Sequence, residues 1–373
     1  MLRNSFRIAS IGGVSINIDA SWILIFILVT WTLAGGYFPQ QYPDWSPLLY
    51  WTVGLITSLL FFGSVLAHEL AHSFVARARG LPVHDITLFI FGGVAQLEEE
   101  PQTPATEFVM ALVGPLTSIV LGVCFGATSL LARGVSEPLS ALAGYLALVN
   151  VVLGLFNLIP GFPLDGGRVL RSILWQATGN LQSATRWASL VGQAVAYLFI
   201  LWGIWRIFQG DWAGGLWTAL IGWFLENAAR SSYRQLTVRN LLAGHKVSEV
   251  MSRECLEVSA DLTLDKLVNE HLLPSGVRCF PVVEGGMVRG LLTLHNVKGV
   301  PQDRWGMTTV EQVMTPVREL KRVSPDEELW TAMQNMTADG VNQLPVMDNG
   351  RLLGMLGRDN IVSFIRVKGE LGI

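Results

Sequence analysis

Charge is spread so unevenly along this 373-residue chain that its two parts must fold in different solvents. Residues 1–239 carry 24 Lys, Arg, Asp and Glu side chains, whereas the 134 residues from 240 onward carry 31. Over the whole chain 51% of residues are hydrophobic and 15% charged, against about 25% charged in an ordinary soluble protein. Crossing a bilayer as helix takes about 20 mostly apolar residues. Uncharged stretches of that order run over 20–43, 48–67, 108–132, 138–164 and 187–205, with a shorter sixth over 212–225. The pattern predicts a polytopic α-helical membrane domain of about six spans over residues 1–235, a linker over 236–245, and a soluble α/β domain beyond.

Arg3 and Arg7 precede the first stretch, as basic residues do in a secretory signal. However, Ile8, Ile11, Val14, Ile16 and Ile18 alternate with small or polar residues, which is a strand pattern. Arginine placement sets the orientation, because cytoplasmic flanks are enriched in Lys and Arg. Arg3, Arg7, Arg77, Arg79, Arg168, Arg171, Arg230, Arg234 and Arg239 fall on one side, and only Arg133 and Arg206 on the other. A multi-pass protein of the cell membrane with cytoplasmic N- and C-termini is expected. The net charge of −3 gives no reason to expect a nucleic-acid partner. Cys124, Cys255 and Cys279 are far apart and predict no disulfide framework.

The chemistry begins at the end of the second stretch, where the chain reads His68-Glu69-Leu70-Ala71-His72. Residues four apart share a helix face, so both imidazoles reach one ion, with the Glu69 carboxylate beside them. Ionisable groups are costly at membrane depth, about 2.5–3.5 kcal/mol for an Asp at a span centre. Metal ligation would offset that cost; a surface role would not. A catalytic zinc site has three protein ligands and an open fourth position. Asp165 is the candidate third, in Asn157-Leu-Ile-Pro-Gly-Phe-Pro-Leu-Asp165-Gly-Gly-Arg168. Pro160, Gly161 and Pro163 break the helix there, leaving Asp165 on exposed backbone before a Gly-Gly turn. A cap for a helix starting near Arg168 is the alternative role for Asp165.

These paired segments resemble the site-2 protease family of intramembrane metalloproteases, in its subgroup with C-terminal CBS domains. The resemblance implies one zinc ion per chain on His68, His72 and Asp165, with Glu69 as catalytic base and Asn157 facing the active site. Phe91–Leu97 looks like the family's re-entrant β-segment, which would make Gly92, Gly93, Val94, Ala95 and Gln96 a substrate-presenting edge. Gly114-Pro115 resembles a pair that packs near the catalytic helices. His84 reads as a solvated loop residue and Glu98, Glu99 and Glu100 as a solvated acidic run.

The tail repeats itself over 246–303 and 308–368. Val247-Ser-Glu-Val-Met251 parallels Val310-Glu-Gln-Val-Met314, and Pro281-Val282 parallels Pro345-Val346. This repeat resembles a CBS pair, modules that often bind adenine nucleotides such as ATP or AMP. The ribose-binding element is partial here: Thr293 and Asn296 in one copy, Asp359 one position early in the other. A docking or homodimerisation module is the competing role. The expected activity is zinc-dependent endoproteolysis of membrane-protein substrates whose spanning segments carry helix-breaking residues, in contact with the lipid bilayer. A CBS-regulated transporter or channel, or a proteolytically silent scaffold, are the alternatives; neither needs Glu69 between two metal ligands.

Overall fold

The structure is a computed structural model and describes residues 5–90, 92–97, 101–285, 287–348 and 351–371, with residues 84 and 94–97 described by backbone alone. Phe91, Glu98, Glu99 and Glu100 therefore lie outside the described residues, as does the His84 side chain. The chain divides into two compact units, residues 1–234 and 235–373.

In the first unit the alternation around Ile8–Ile18 folds as a hairpin. Strands β1 (Ser5–Ile11) and β2 (Val14–Asp19) pair antiparallel about Gly12 and Gly13, which hold φ values of 57° and 82° that disfavour side chains. Next, β2 runs parallel to β3 (Val83–Phe89), and β3 antiparallel to β4 (Gly92–Leu97). The order β1-β2-β3-β4 leaves β4 at a sheet edge.

Helix α1 (Ala20–Thr32) starts where β2 ends, and Asp19 accepts a hydrogen bond from the Ser21 amide (2.9 Å) to cap it. A π turn joins it to α2 (Phe38–Gln41). There follow α3 (Pro47–Ala78), α4 (Pro104–Ala132), α5 (Glu137–Asn157), α6 (Asp165–Thr178) and α7 (Leu181–Phe208). Among the described residues, five helical segments are long and apolar enough to cross a membrane: the α1–α2 stretch, α3, α4, α5 and α7. The sequence predicted about six. The sixth stretch is helical, as α8 (Trp212–Leu242), but its apolar run stops at Glu226 and the helix continues through Arg230, Arg234 and Arg239. Residues 236–242, expected as linker, form its last turns.

Asp165 departs from expectation too. It is the first residue of α6, and Gly166 and Gly167 belong to the first helical turn in place of a Gly-Gly turn. Their α-carbons press on the backbone of Leu158–Phe162, where a side chain would collide. Close approach, rather than turn geometry, explains the two glycines. A buried ion pair holds α6 in place. Glu107, fully buried near the start of α4, accepts from Arg171 Nε (2.7 Å) and Nη2. Arg168 Nε approaches the same oxygen at 3.9 Å, and the Arg171 guanidinium lies over the Phe162 ring.

In the second unit two similar hairpins, β5 (Cys279–Glu284) with β6 (Met287–Thr293) and β8 (Gln343–Asp348) with β9 (Arg351–Gly357), carry the repeat. The copies exchange segments. Val247 packs in the core formed by Leu329, Leu344, Val346 and Leu356, whereas Val310 packs with Val258, Phe280, Val282 and Leu292. Likewise Ser252 bridges to Met355 of β9, and Thr315–Pro316 (β7) pairs with β6. Neither hydrophobic core is complete without the other copy's leading segment.

Removing one partner of a buried ion pair leaves the other charge uncompensated. Glu107→Leu alone should therefore lower stability by about 3–5 kcal/mol. The double variant Glu107→Leu/Arg171→Met should recover most of that loss, as measured by chemical unfolding of detergent-solubilised protein.

Candidate metal centre and its cavity

His68 and His72 leave α3 one turn apart, on one face. Their Nε2 atoms stand 3.2 Å from each other, and lie 3.1 Å and 3.2 Å respectively from Asp165 Oδ2. Ligand atoms about 2.0–2.2 Å from a tetrahedral zinc are themselves about 3.3–3.5 Å apart. The triangle is thus close to one face of such a site. The three form a compact potential metal-binding group, with both imidazoles buried.

The hydrogen bonds behind the imidazoles say which atoms face inward. His72 Nδ1 donates to the Met110 carbonyl (2.6 Å), since a carbonyl only accepts. In the neutral ring its Nε2 is then a bare lone pair, aimed at a carboxylate oxygen that also offers only lone pairs. A cation or an added proton must lie between them. His68 Nδ1 is paired with Ser118 Oγ at 2.9 Å, so each imidazole is oriented from α4, as metal-bound histidines commonly are by a second partner.

Gly114 completes the cradle. A Cβ there would strike His72 Nε2 and come within 2.7 Å of His68 Nε2. Helix α4 therefore approaches the ligand atoms with an α-carbon alone. Donor set, spacing, lone-pair orientation and this clearance all fit zinc.

Beside the triangle lies a cavity of about 730 Å³. Glu69, Ser73, Asn157, Asp165 and Arg168 are among its polar lining. Phe62 and Val65 on α3, Ile25 on α1 and Trp217 and Phe224 on α8 contribute apolar wall. Gly92 and Gly93 bring the edge strand in, and a Cβ on Gly93 would lie 2.5 Å from Glu69 Cγ. Val94, Ala95 and Gln96 continue β4, with side chains outside the described residues. Asn157 ends α5 and donates Nδ2 to the Leu153 carbonyl (3.0 Å).

The tail residues singled out in the sequence are arranged differently. Thr293 and Asn296 bond each other as the capping box of the helix Leu294–Lys298, with Asn296 Oδ1 accepting from the Thr293 amide at 2.9 Å. Asp359 lies in the first turn of Arg358–Leu371. A separate cleft of about 690 Å³ is lined by Ser252, Cys255, Cys279, Gln343, Gly357 and Asn360 among others, without Thr293, Asn296 or Asp359.

Sequence reasoning missed Met110, Ser118, Glu107 and Arg171. The available signal was the four-residue spacing of Met110, Gly114 and Ser118, which share one face of α4. Ser118→Ala should weaken zinc binding about 10- to 100-fold, and Gly114→Ala should abolish it. Metal content by mass spectrometry and competition with a chromogenic chelator measure both.

The model of peptidase family M50 matches residues 56–138 and 132–201, and the CBS domain model matches 247–301 and 310–367. Among curated relatives, the chain is 35% identical to sll0528 of Synechocystis sp., covering 98% of this chain and 96% of that one. It is 32% identical to Rip3 of Mycobacterium tuberculosis (98% and 94%) and 27% identical to MJ0392 of Methanocaldococcus jannaschii (98% and 98%). All three carry zinc metalloprotease names. Five candidate spans, three side chains grouped as a metal site would need and relatives aligned over nearly its whole length place the chain in peptidase family M50, the site-2 proteases, as a multi-pass intramembrane zinc metalloprotease with a CBS domain pair.

Proposed function

We propose that this protease binds a single zinc ion through His68, His72 and Asp165 and cleaves membrane-spanning segments of other proteins, with Glu69 as general base. The observation that carries this reading is the convergence of three metal-ligand atoms at one side of a cavity that Glu69 also lines. Bound zinc would supply Lewis acidity, polarising the scissile carbonyl and acidifying a water. Glu69 takes the proton of the attacking water and returns it to the leaving amine. Asn157 keeps one amide N–H on Leu153 and directs its second toward the developing oxyanion.

A transmembrane helix offers no accessible carbonyl, because its backbone groups are already paired. Substrates are therefore segments with helix-breaking residues. Once unwound, their backbone pairs with the edge of β4 at Gly92–Gln96 by strand addition. Arginine placement orients both termini to the cytoplasm. The cleft beside Gln343 and Asn360 takes an adenine nucleotide, ATP or AMP. A role in homodimerisation is the reading left if it takes none.

Glu69→Gln should retain one zinc per chain and lose at least ~100-fold in cleavage of a co-expressed membrane substrate; undiminished cleavage would remove Glu69 from the chemistry. Isothermal titration of the full chain in detergent with ATP and with AMP checks the cleft, and no heat with either favours the docking role.

A further inference from the structure

Five serines and threonines lie on α3, and four of them settle their hydroxyls locally. Thr52 donates to Leu48 O (2.8 Å), Thr57 to Val53 O (2.7 Å), Ser58 to Gly54 O (2.9 Å) and Ser64 to Leu60 O (2.9 Å). This back-bond to the preceding turn is the ordinary way to bury a hydroxyl in an apolar helix.

Ser73 is the exception. It is 1% exposed, and its Oγ has no hydrogen-bond partner among the described residues. The carbonyl one turn back belongs to Glu69, and the hydroxyl does not use it. Buried polar groups are nearly always paired, so an orphaned one calls for an explanation. Position supplies it. Ser73 lines the same cavity as Glu69, together with Ile90, Gly92 and Gly93 of the β3–β4 hairpin. Glu69 and Ser73 are four residues apart and share a helix face.

We infer that Ser73 is a substrate-binding residue, whose hydroxyl donates to a peptide carbonyl of the unwound segment lying between Glu69 and β4. An unwound segment brings backbone carbonyls that have lost their helical partners into an apolar space, and Ser73 is a donor already desolvated there. The chemistry recognised is the peptide backbone itself, so the contact constrains conformation and leaves side-chain sequence unread. A carbonyl freed by unwinding is the better acceptor, since a helical one already takes an amide N–H on one of its two lone pairs.

This inference rests on the proteolytic reading, and the two are tested by separate measurements. Binding of a fluorescently labelled transmembrane peptide with a central Gly-Pro pair is measured by anisotropy on zinc-loaded full-length Glu69→Gln protein in detergent. Cleavage of the same peptide by the unsubstituted protein tests the proteolytic reading alone. In the Glu69→Gln background, Ser73→Ala should raise the peptide Kd about fivefold, the worth of one neutral hydrogen bond. Zinc content and melting temperature should not fall, since no resting contact of the hydroxyl is removed. Ser73→Thr should keep the tight Kd. Ser73→Cys, close in shape but a weak donor, should behave like Ser73→Ala and replaces it if the alanine variant does not fold. An unchanged Kd in both the alanine and cysteine variants overturns the inference. Loss of zinc alongside peptide binding also overturns it, because Ser73 would then be supporting His72.

Discussion

A neutral imidazole and a carboxylate cannot face each other lone pair to lone pair at 3.2 Å unless positive charge lies between them. In its neutral form His72 is in that position because its one N–H, on Nδ1, donates to the Met110 carbonyl. The rest of the first unit can be understood as the means of holding these three side chains together. Helix α3 supplies two nitrogens from one turn, α4 orients them through Met110 and Ser118, and α6 delivers the carboxylate.

The position of Asp165 depends on packing of the helix it opens. The glycines after it let α6 start against the Leu158–Phe162 backbone, and Arg171 ties the same helix to Glu107 on α4. An isolated charge is costly in so apolar a unit, and several of its charged groups are neutralised in pairs. Glu226 meets Arg230, Asp211 meets Arg206, and Glu107 meets Arg171. Glu69 is in no such salt bridge among the described residues and lines the cavity instead.

Much of this could be read from one chain, and the reason is locality. The spacing of His68, Glu69 and His72 is a property of one helical turn, and the proline-rich break before Asp165 is equally local. Helix α4 resisted the same reading. Ser118 and Met110 look like ordinary members of an apolar span until α3 is packed against them, and Glu107 and Arg171 are 64 residues apart. The exchange of leading segments in the tail was hidden as well, because a linear repeat does not reveal which copy's core Val247 completes. Thr293 and Asn296 show what a linear motif leaves out: their side chains also cap a helix, through the Thr293 and Asn296 amides.

By itself, the sequence determined that one part of the chain partitions into lipid, that two imidazoles and an acid share a helix face, and that the tail is duplicated. Each of these follows from composition or from spacing along a single element. Only the tertiary structure decided that Asp165 opens a helix instead of preceding a turn, that α4 supplies the hydrogen-bond acceptor fixing His72, and that Ser73 is buried without a hydrogen-bond partner among the described residues. Those outcomes depend on which atoms meet across elements, and such meetings are set by packing and by the pairing of buried polar groups, which no local pattern encodes.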